Sequence, residues 1–249
     1  MDFKALIFDL DGTAIKAEYN ALPSNTVIKA VEKAQEKIIV SIATGRTFIG
    51  CEKIIKKLEI KYPCIVSGGT ELIDPKTGEI LWTKKIKVED IKKIIDICQP
   101  YLYEILFSKE IKGLSAQEKE IKNEENVVYI MNTKPEDAFQ IIKNINLIEN
   151  IVAHEAGSWT KGMVDIHVTH KDATKKNSLL KWMEVLRLNK QNVLAVGDNV
   201  NDLPLFEVAG YKIAVANAYE KLKLKADYIA PSMSEDGLAV VINKFILKI

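Results

Sequence analysis

Four apolar residues, Ala5 to Phe8, run without alternation into Asp9, Leu10 and Asp11 and then a Gly-Thr turn. An unbroken apolar run of this length is the signature of a strand buried on both faces, which is how parallel sheets are built. Side chains alternate along a strand, so Asp9 and Asp11 share one side while Leu10 takes the other. Open parallel sheets collect ligands beyond the carboxyl ends of their strands, and both acids fall there.

Two neighbouring carboxylates at a sheet end repel each other, and a divalent cation is an economical compensation. Magnesium suits the position, because it takes few protein oxygens and keeps room for water or a phosphate oxygen. A solvated acidic turn is the competing reading of an isolated Asp-x-Asp. The rest of the chain argues against it. VLAVGDNVNDLPLF repeats the design: Val193 to Val196 lead into Gly197 and Asp198, and Asp202 follows one helical turn later. Together the two segments suggest a four-acid pocket. A third apolar run, IIVSIATGRT, ends at Thr44, whose hydroxyl suits a phosphoryl oxygen. HKDATKKNSLLKWM adds lysines at the expected start of an amphipathic helix with Leu179, Leu180, Met183 and Leu186 on its apolar side. A cation there is disfavoured by the helix dipole unless an anion lies close.

In order and spacing, DLDGT, SIATGR, a lysine and GDNVND resemble the haloacid-dehalogenase superfamily, and the arrangement is similar to its Cof-type, class IIB branch. IAVANA and the later EDG resemble that branch too. The compact insertion is similar to the caps of archaeal phosphoglycolate phosphatases. The resemblance implies an α/β fold: a doubly wound, Rossmann-like parallel-sheet core, 1–83 and 170–249, with an inserted α+β cap at 84–169. It also implies an enzyme that hydrolyses a small phosphomonoester, such as a sugar phosphate, with Mg2+ and an aspartyl-phosphate intermediate. Carried over by motif, Asp9 is the nucleophile, Asp11 the general acid and base, Thr44 a phosphoryl ligand and Lys175 the offsetting cation. Asp9, Asp11, Asp198 and Asp202 form the metal set, and Gly12, Gly45, Arg46 and Asn201 lie among the substrate contacts.

Three departures from the family pattern stand out. Gly68 occupies a position where asparagine is usual, EKIIV lacks the glycine that commonly ends the preceding helix, and Lys171 and Lys176 flank Lys175 as alternatives. Within the insertion, EAGSWTKGM offers Trp159 and Lys161 for a polar leaving group, although Trp159 equally suits packing and Lys161 equally suits solvent. His154, His167 and His170 cluster in sequence but read as structural or surface residues, with His154 also suited to lining a substrate pocket. ELIDPKTGEILW reads as a hairpin leaving the core. The charged interval from Ser115 to Asn126 reads as a solvated bridge.

Composition sets the remaining bounds. The formal charge of +1 offers no field for nucleic acid or an anionic membrane. No stretch approaches the roughly 18 apolar residues of a membrane span, and the chain enters its first strand directly, so a cytoplasmic protein without signal peptide is expected. Three cysteines without CxxC spacing read as buried thiols. The expected partner is a small phosphate ester, and the expected assembly a monomer or homodimer. A phosphoglycolate phosphatase, a phosphomutase sharing the same intermediate, a nuclease-type metal site and a non-catalytic phosphometabolite-binding module are the alternatives. The charge and the presence of Thr44 and Lys175 count against the nuclease, and retention of Asp9 and Asp11 counts against the binding module.

Overall fold

The structure, a computed structural model, describes residues 2–18, 20–107, 123–158 and 160–249. In chain order its regular elements are β1 (Ala5–Phe8), α1 (Asn25–Gln35), β2 (Ile39–Ile42), α2 (Phe48–Lys57), β3 (Cys64–Val66), β4 (Glu71–Ile73), β5 (Ile80–Thr83), α3 (Val88–Cys98), β6 (Ile105–Phe107), β7 (Val127–Thr133), α4 (Pro135–Ile145), β8 (Ile151–Gly157) and β9 (Val164–His170). There follow α5 (Lys175–Val185), β10 (Val193–Gly197), α6 (Leu203–Phe206), β11 (Tyr211–Val215), α7 (Glu220–Lys223), β12 (Tyr228–Ala230) and α8 (Gly237–Ile242). They divide into two compact units: Met1–Trp82 with Thr174–Ile249, and Thr83–Ala173.

The first unit is built on a five-stranded sheet of order β12-β11-β10-β1-β2, with every pairing parallel. β1 lies inside it, Leu6 opposite both Leu194 and Val40, and all four of its residues are fully buried. The unbroken apolar run therefore has its physical reason in neighbours on both edges and cover on both faces. The chain steps one way from β1 to β2 and later builds β10, β11 and β12 on the other side. The reversal of strand order at the β1–β10 pair creates a crevice at their carboxyl ends.

Local signals set the helices around this sheet. The Ser24 hydroxyl accepts from the Val27 amide at 3.1 Å and caps α1, whose Val27, Ala30, Val31 and Ala34 recur at helical spacing and are buried. α1 ends in a right-handed C-cap at Glu36, as expected from the missing glycine. In α5 the buried stripe is Ser178, Leu179, Trp182 and Met183, whereas Leu180 is 44% exposed. The expected apolar side was thus drawn too far round the helix. Trp182, four residues on from Ser178, takes the place assigned to Leu180 and donates to the Pro63 carbonyl at 2.8 Å. β3, β4 and β5 form a second, three-stranded sheet, and the Asp74 carboxylate accepts the Lys76 and Thr77 amides at the turn of the hairpin.

The second unit is α+β. Its antiparallel sheet, β6-β7-β9-β8, buries Val128, Ile130, Ile166 and Val168 with Ile91 and Ile94 of α3 and Ile141 and Ile145 of α4. The opposite face carries Tyr129, His167 and His154, the two histidines directly cross-strand with ring centroids 5.7 Å apart. Burial, reinforced by His154, lowers the His167 pKa to about 4. Most of the charged interval expected to act as a bridge lies outside the described residues.

Candidate active site

At the carboxyl end of β1, the Asp9 amide donates to the Val196 carbonyl at 3.0 Å, tying the first acidic turn to β10. Asp9, Asp198 and Asp202, all buried, bring one carboxylate oxygen each within 4.8 Å of one another. Lys175, the first residue of α5, enters this group as its cation. Its Nζ lies 2.9 Å from Asp9 Oδ1 and 2.7 Å from Asp202 Oδ1, with only 1% of the side chain exposed. Lys176 instead reaches Glu207 at the surface, and Lys171 is exposed. The Thr174 hydroxyl accepts from the Asn177 amide and begins α5 at Lys175, which explains why one lysine of the three turns inward.

Glycine makes these approaches geometrically feasible. Gly12 has a φ of +81°, and a Cβ there would overlap the Asp198 carboxylate, with Cγ at 2.8 Å. Gly69 has a φ of +99°, and its Cβ would overlap the Lys175 amide nitrogen and lie 2.5 Å from the Thr174 carbonyl carbon. Ser178 Oγ holds the same junction by donating to the Gly69 carbonyl at 2.6 Å. Gly68, where the family has asparagine, also has a positive φ of +69° but open space around its Cβ position.

Each acid is separately anchored. Thr13 Oγ1 donates to Asp198 Oδ1 at 2.7 Å, and Asp202 Oδ2 accepts the amides of Asp198 and Asn199 at 3.1 and 3.2 Å. Three carboxylates face one ammonium, leaving two negative charges in excess if all are ionised. Burial is the largest influence on Asp9 and raises its pKa well above the carboxylate range; Lys175 opposes this and Asp202 adds to it. Asp198 is pushed up to about 6, again chiefly by burial. Lys175 is raised despite its burial, because Asp202 and Asp9 outweigh the desolvation. Hard oxygen donors carrying this excess charge fit a divalent cation such as magnesium, with Asp9, Asp198 and Asp202 as the residues to hold it.

The carboxylate of Asp11 stands outside that group. Arg46 donates to both its oxygens, Nε to Oδ2 at 2.8 Å and Nη2 to Oδ1 at 2.6 Å. The hydrogen bond to Asp11 is also what most raises the Arg46 pKa. Thr44 is fully buried two residues beyond β2, its Oγ1 accepting the Arg46 amide at 3.1 Å, and Gly45 is exposed beside it. Asn201 is exposed in the turn between Asp198 and Asp202, and Lys161 is exposed in the second unit; Trp159 lies outside the described residues.

Sequence reasoning passed over Thr13, which closes the DLDGT motif, and Gly69, which follows the Gly68 departure. It also passed over Asn217 of IAVANA, which donates to the Gly12 carbonyl at 2.8 Å and accepts the Met233 amide at 2.8 Å. The polar residues of these motifs offered a signal; the close approach at Gly69 depends on long-range packing and offered none.

Comparison with known proteins agrees with this geometry. The family model for haloacid dehalogenase-like hydrolases matches residues 6–242, and the chain belongs to that family. It is an enzyme of that hydrolase family, and relatives matched over nearly the whole chain are named phosphatases. It is 28% identical to the 5-amino-6-(5-phospho-D-ribitylamino)uracil phosphatase YcsE of Bacillus subtilis, over 99% of this chain and 97% of the relative. It is 27% identical to a phosphoglycolate phosphatase of Methanobrevibacter smithii, over 99% and 100%. The fold is similar to that of a haloacid dehalogenase-like hydrolase from Bacteroides thetaiotaomicron, with a TM-score of 0.81, 20% identity and coverage of 98% and 99%.

Proposed function

We propose that this chain is a magnesium-dependent phosphomonoesterase that hydrolyses a sugar phosphate or a similarly small ester through phosphorylation of Asp9. The observation that carries the reading is the buried Lys175 bridging Asp9 and Asp202 beside Asp198, at the switch point of a parallel sheet. Lys175 holds Asp9 at a fixed place and neutralises charge gathered around it. In the first half-reaction an Asp9 oxygen attacks phosphorus, the ester P–O bond breaks, and Asp11 delivers a proton to the departing oxygen. In the second, water attacks the phosphoryl group, its proton passes to Asp11 and the Asp9–phosphorus linkage breaks. The products are an alcohol and inorganic phosphate, and both carboxyl groups return to their initial states. The Thr44 hydroxyl, which already accepts one amide, retains its proton for a phosphoryl oxygen. A divalent cation bound by the three acids supplies charge neutralisation, the dominant requirement of phosphoryl transfer.

We assign choice of leaving group to the inserted unit acting as a cap, with Trp159 and Lys161 as its contacts. Asn201 and Gly45 are assigned to the phosphate end. Relatives named as phosphoglycolate and 5-amino-6-(5-phospho-D-ribitylamino)uracil phosphatases support a small organic phosphate as substrate class. No described helix is long and apolar enough to cross a membrane, and Cys51, Cys64 and Cys98 are free and buried. The free thiols favour a reducing, cytoplasmic setting.

The test is phosphate release from a panel of sugar phosphates, phosphoglycolate and 4-nitrophenyl phosphate, with magnesium or EDTA, for wild type and Asp9→Asn. Release that requires magnesium and disappears in the variant is expected. Equal release with EDTA, or from Asp9→Asn, would refute the reading.

A further inference from the structure

Arg46 stands in the loop after β2, where a guanidinium beside a phosphate site invites the role of substrate ligand. Its hydrogen bonds point elsewhere. Besides the two to Asp11, Nη2 donates to the Glu18 carbonyl at 2.7 Å and Nη1 to the Gly50 carbonyl at 3.3 Å. At least four of the five guanidinium hydrogens are thus committed to the protein. They connect the acidic turn after β1, the Glu18 carbonyl and the first turn of α2. The Arg46 side chain is 12% exposed, whereas Asp11 retains 32%. The arginine therefore backs the carboxylate from the protein side and leaves part of Asp11 accessible.

A planar fork of this kind restricts both translation and rotation of a carboxylate. Each carboxylate oxygen has a second lone pair beyond the one facing the fork, so Asp11 can still meet a leaving group or a water molecule. The backbone bridge between Asp11 and Ile15 fixes the turn but not the side-chain torsions. Among the described residues, Arg46 alone hydrogen-bonds the Asp11 carboxylate and so constrains its plane.

From this geometry we infer that Arg46 is the positioning residue for Asp11 in proton transfer, rather than a ligand of the substrate phosphate. The inference rests on the assignment of Asp11 as general acid and base. Lysine cannot reproduce the fork, since it offers a point charge instead of two parallel donors.

The experiment compares wild type, Arg46→Lys, Arg46→Gln and Asp11→Asn in magnesium, using 4-nitrophenyl phosphate and an alkyl phosphate that the wild type turns over. Nitrophenolate departs without help from an acid; an alkoxide does not. Positioned general acids contribute about 100-fold or more, so both Arg46 variants should lose about that factor in kcat on the alkyl ester. Their nitrophenolate burst rate and their kcat/KM for 4-nitrophenyl phosphate should stay within about threefold of wild type. Arg46→Lys retains the charge and much of the side-chain volume, and circular dichroism with thermal unfolding checks that it is folded. Parallel losses on both esters, accompanied by a raised KM and weaker inhibition by inorganic phosphate, would make Arg46 a phosphate ligand and overturn the inference. Wild-type kcat on the alkyl ester in folded Arg46→Lys would overturn it as well. If Asp11→Asn shows no selective loss on the alkyl ester, the Asp11 assignment itself fails; if it does and the Arg46 variants do not, only the positioning role fails.

Discussion

Replacing Lys175 with methionine keeps the length of the stem and removes the charge. In the native protein the Lys175, Asp9 and Asp202 side chains are 1%, 5% and 0% exposed, so the variant leaves two carboxylates in the interior without their cation. Breaking a buried ion pair from one side costs about 3–5 kcal/mol, because the surviving charge loses its partner but not its desolvation penalty. For a domain of this size, at ~2–4 °C per kcal/mol, the unfolding midpoint should fall by ~6–20 °C. The assay is thermal unfolding followed by circular dichroism, with EDTA present so that bound metal does not mask the excess charge. Adding Asp9→Asn should recover part of the loss, because it removes one of the stranded carboxylates. The deficit should also shrink on mild acidification, as protonation relieves the same charge. A Lys175→Met protein within about 0.5 kcal/mol of wild type, with no coupling to Asp9→Asn, would refute the reasoning.

Three further outcomes follow from the same geometry. Gly69→Ala should cost several kcal/mol and lower turnover, since its Cβ would lie 2.6 Å from Lys175 Cα on a backbone with φ of +99°; Gly68→Ala, with open space at its Cβ, should cost only the ~1 kcal/mol of a strained φ. Paired denaturation curves for the two variants check the contrast. The Asp198 pKa is raised from 3.8 to about 6 in the folded chain, so the folded state binds the extra proton between those values. Its contribution to stability is present below about 3.8 and is lost as pH rises through 6, by an amount on the order of 3 kcal/mol in EDTA. The raised Asp9 acts in the same direction, and magnesium should restore stability above pH 6. Melting scans across that range, with and without magnesium, check the sign. Asp11→Asn should slow hydrolysis of the phosphorylated enzyme more than its formation with an activated aryl ester; rapid-quench time courses separate the two steps.

Much of the core was legible because its signals are local. The run Ala5–Phe8 needs cover on both faces, and only a central parallel strand provides it; Val193–Val196 reads the same way and pairs beside it. Asp198 and Asp202 repeat at one-turn spacing, and the turn between them places both in the buried group. What escaped the sequence depends on contacts between distant segments. Nothing local to Gly69 announces that the start of α5, more than a hundred residues later, comes against its α-carbon. Nothing in TGR tells an arginine that binds phosphate from one that grips Asp11, because both need only a forked donor near the same turn. The expected four-acid group rested on Asp9 and Asp11 sharing one side of a strand. β1 ends at Phe8, however, and within the turn Asp11 faces Arg46. The misplaced Leu180 has a simpler cause, since apolar identity outweighed helical phase.

The most direct test of the account is intact-mass and peptide analysis of enzyme quenched during turnover of a phosphate ester, using Asp11→Asn to slow hydrolysis of the intermediate. The account predicts one added phosphoryl group on the peptide containing Asp9, absent from the Asp9→Asn/Asp11→Asn protein. Turnover by wild type with no phosphorylated Asp9 at any quench time, or a phosphoryl group on another residue, would contradict it.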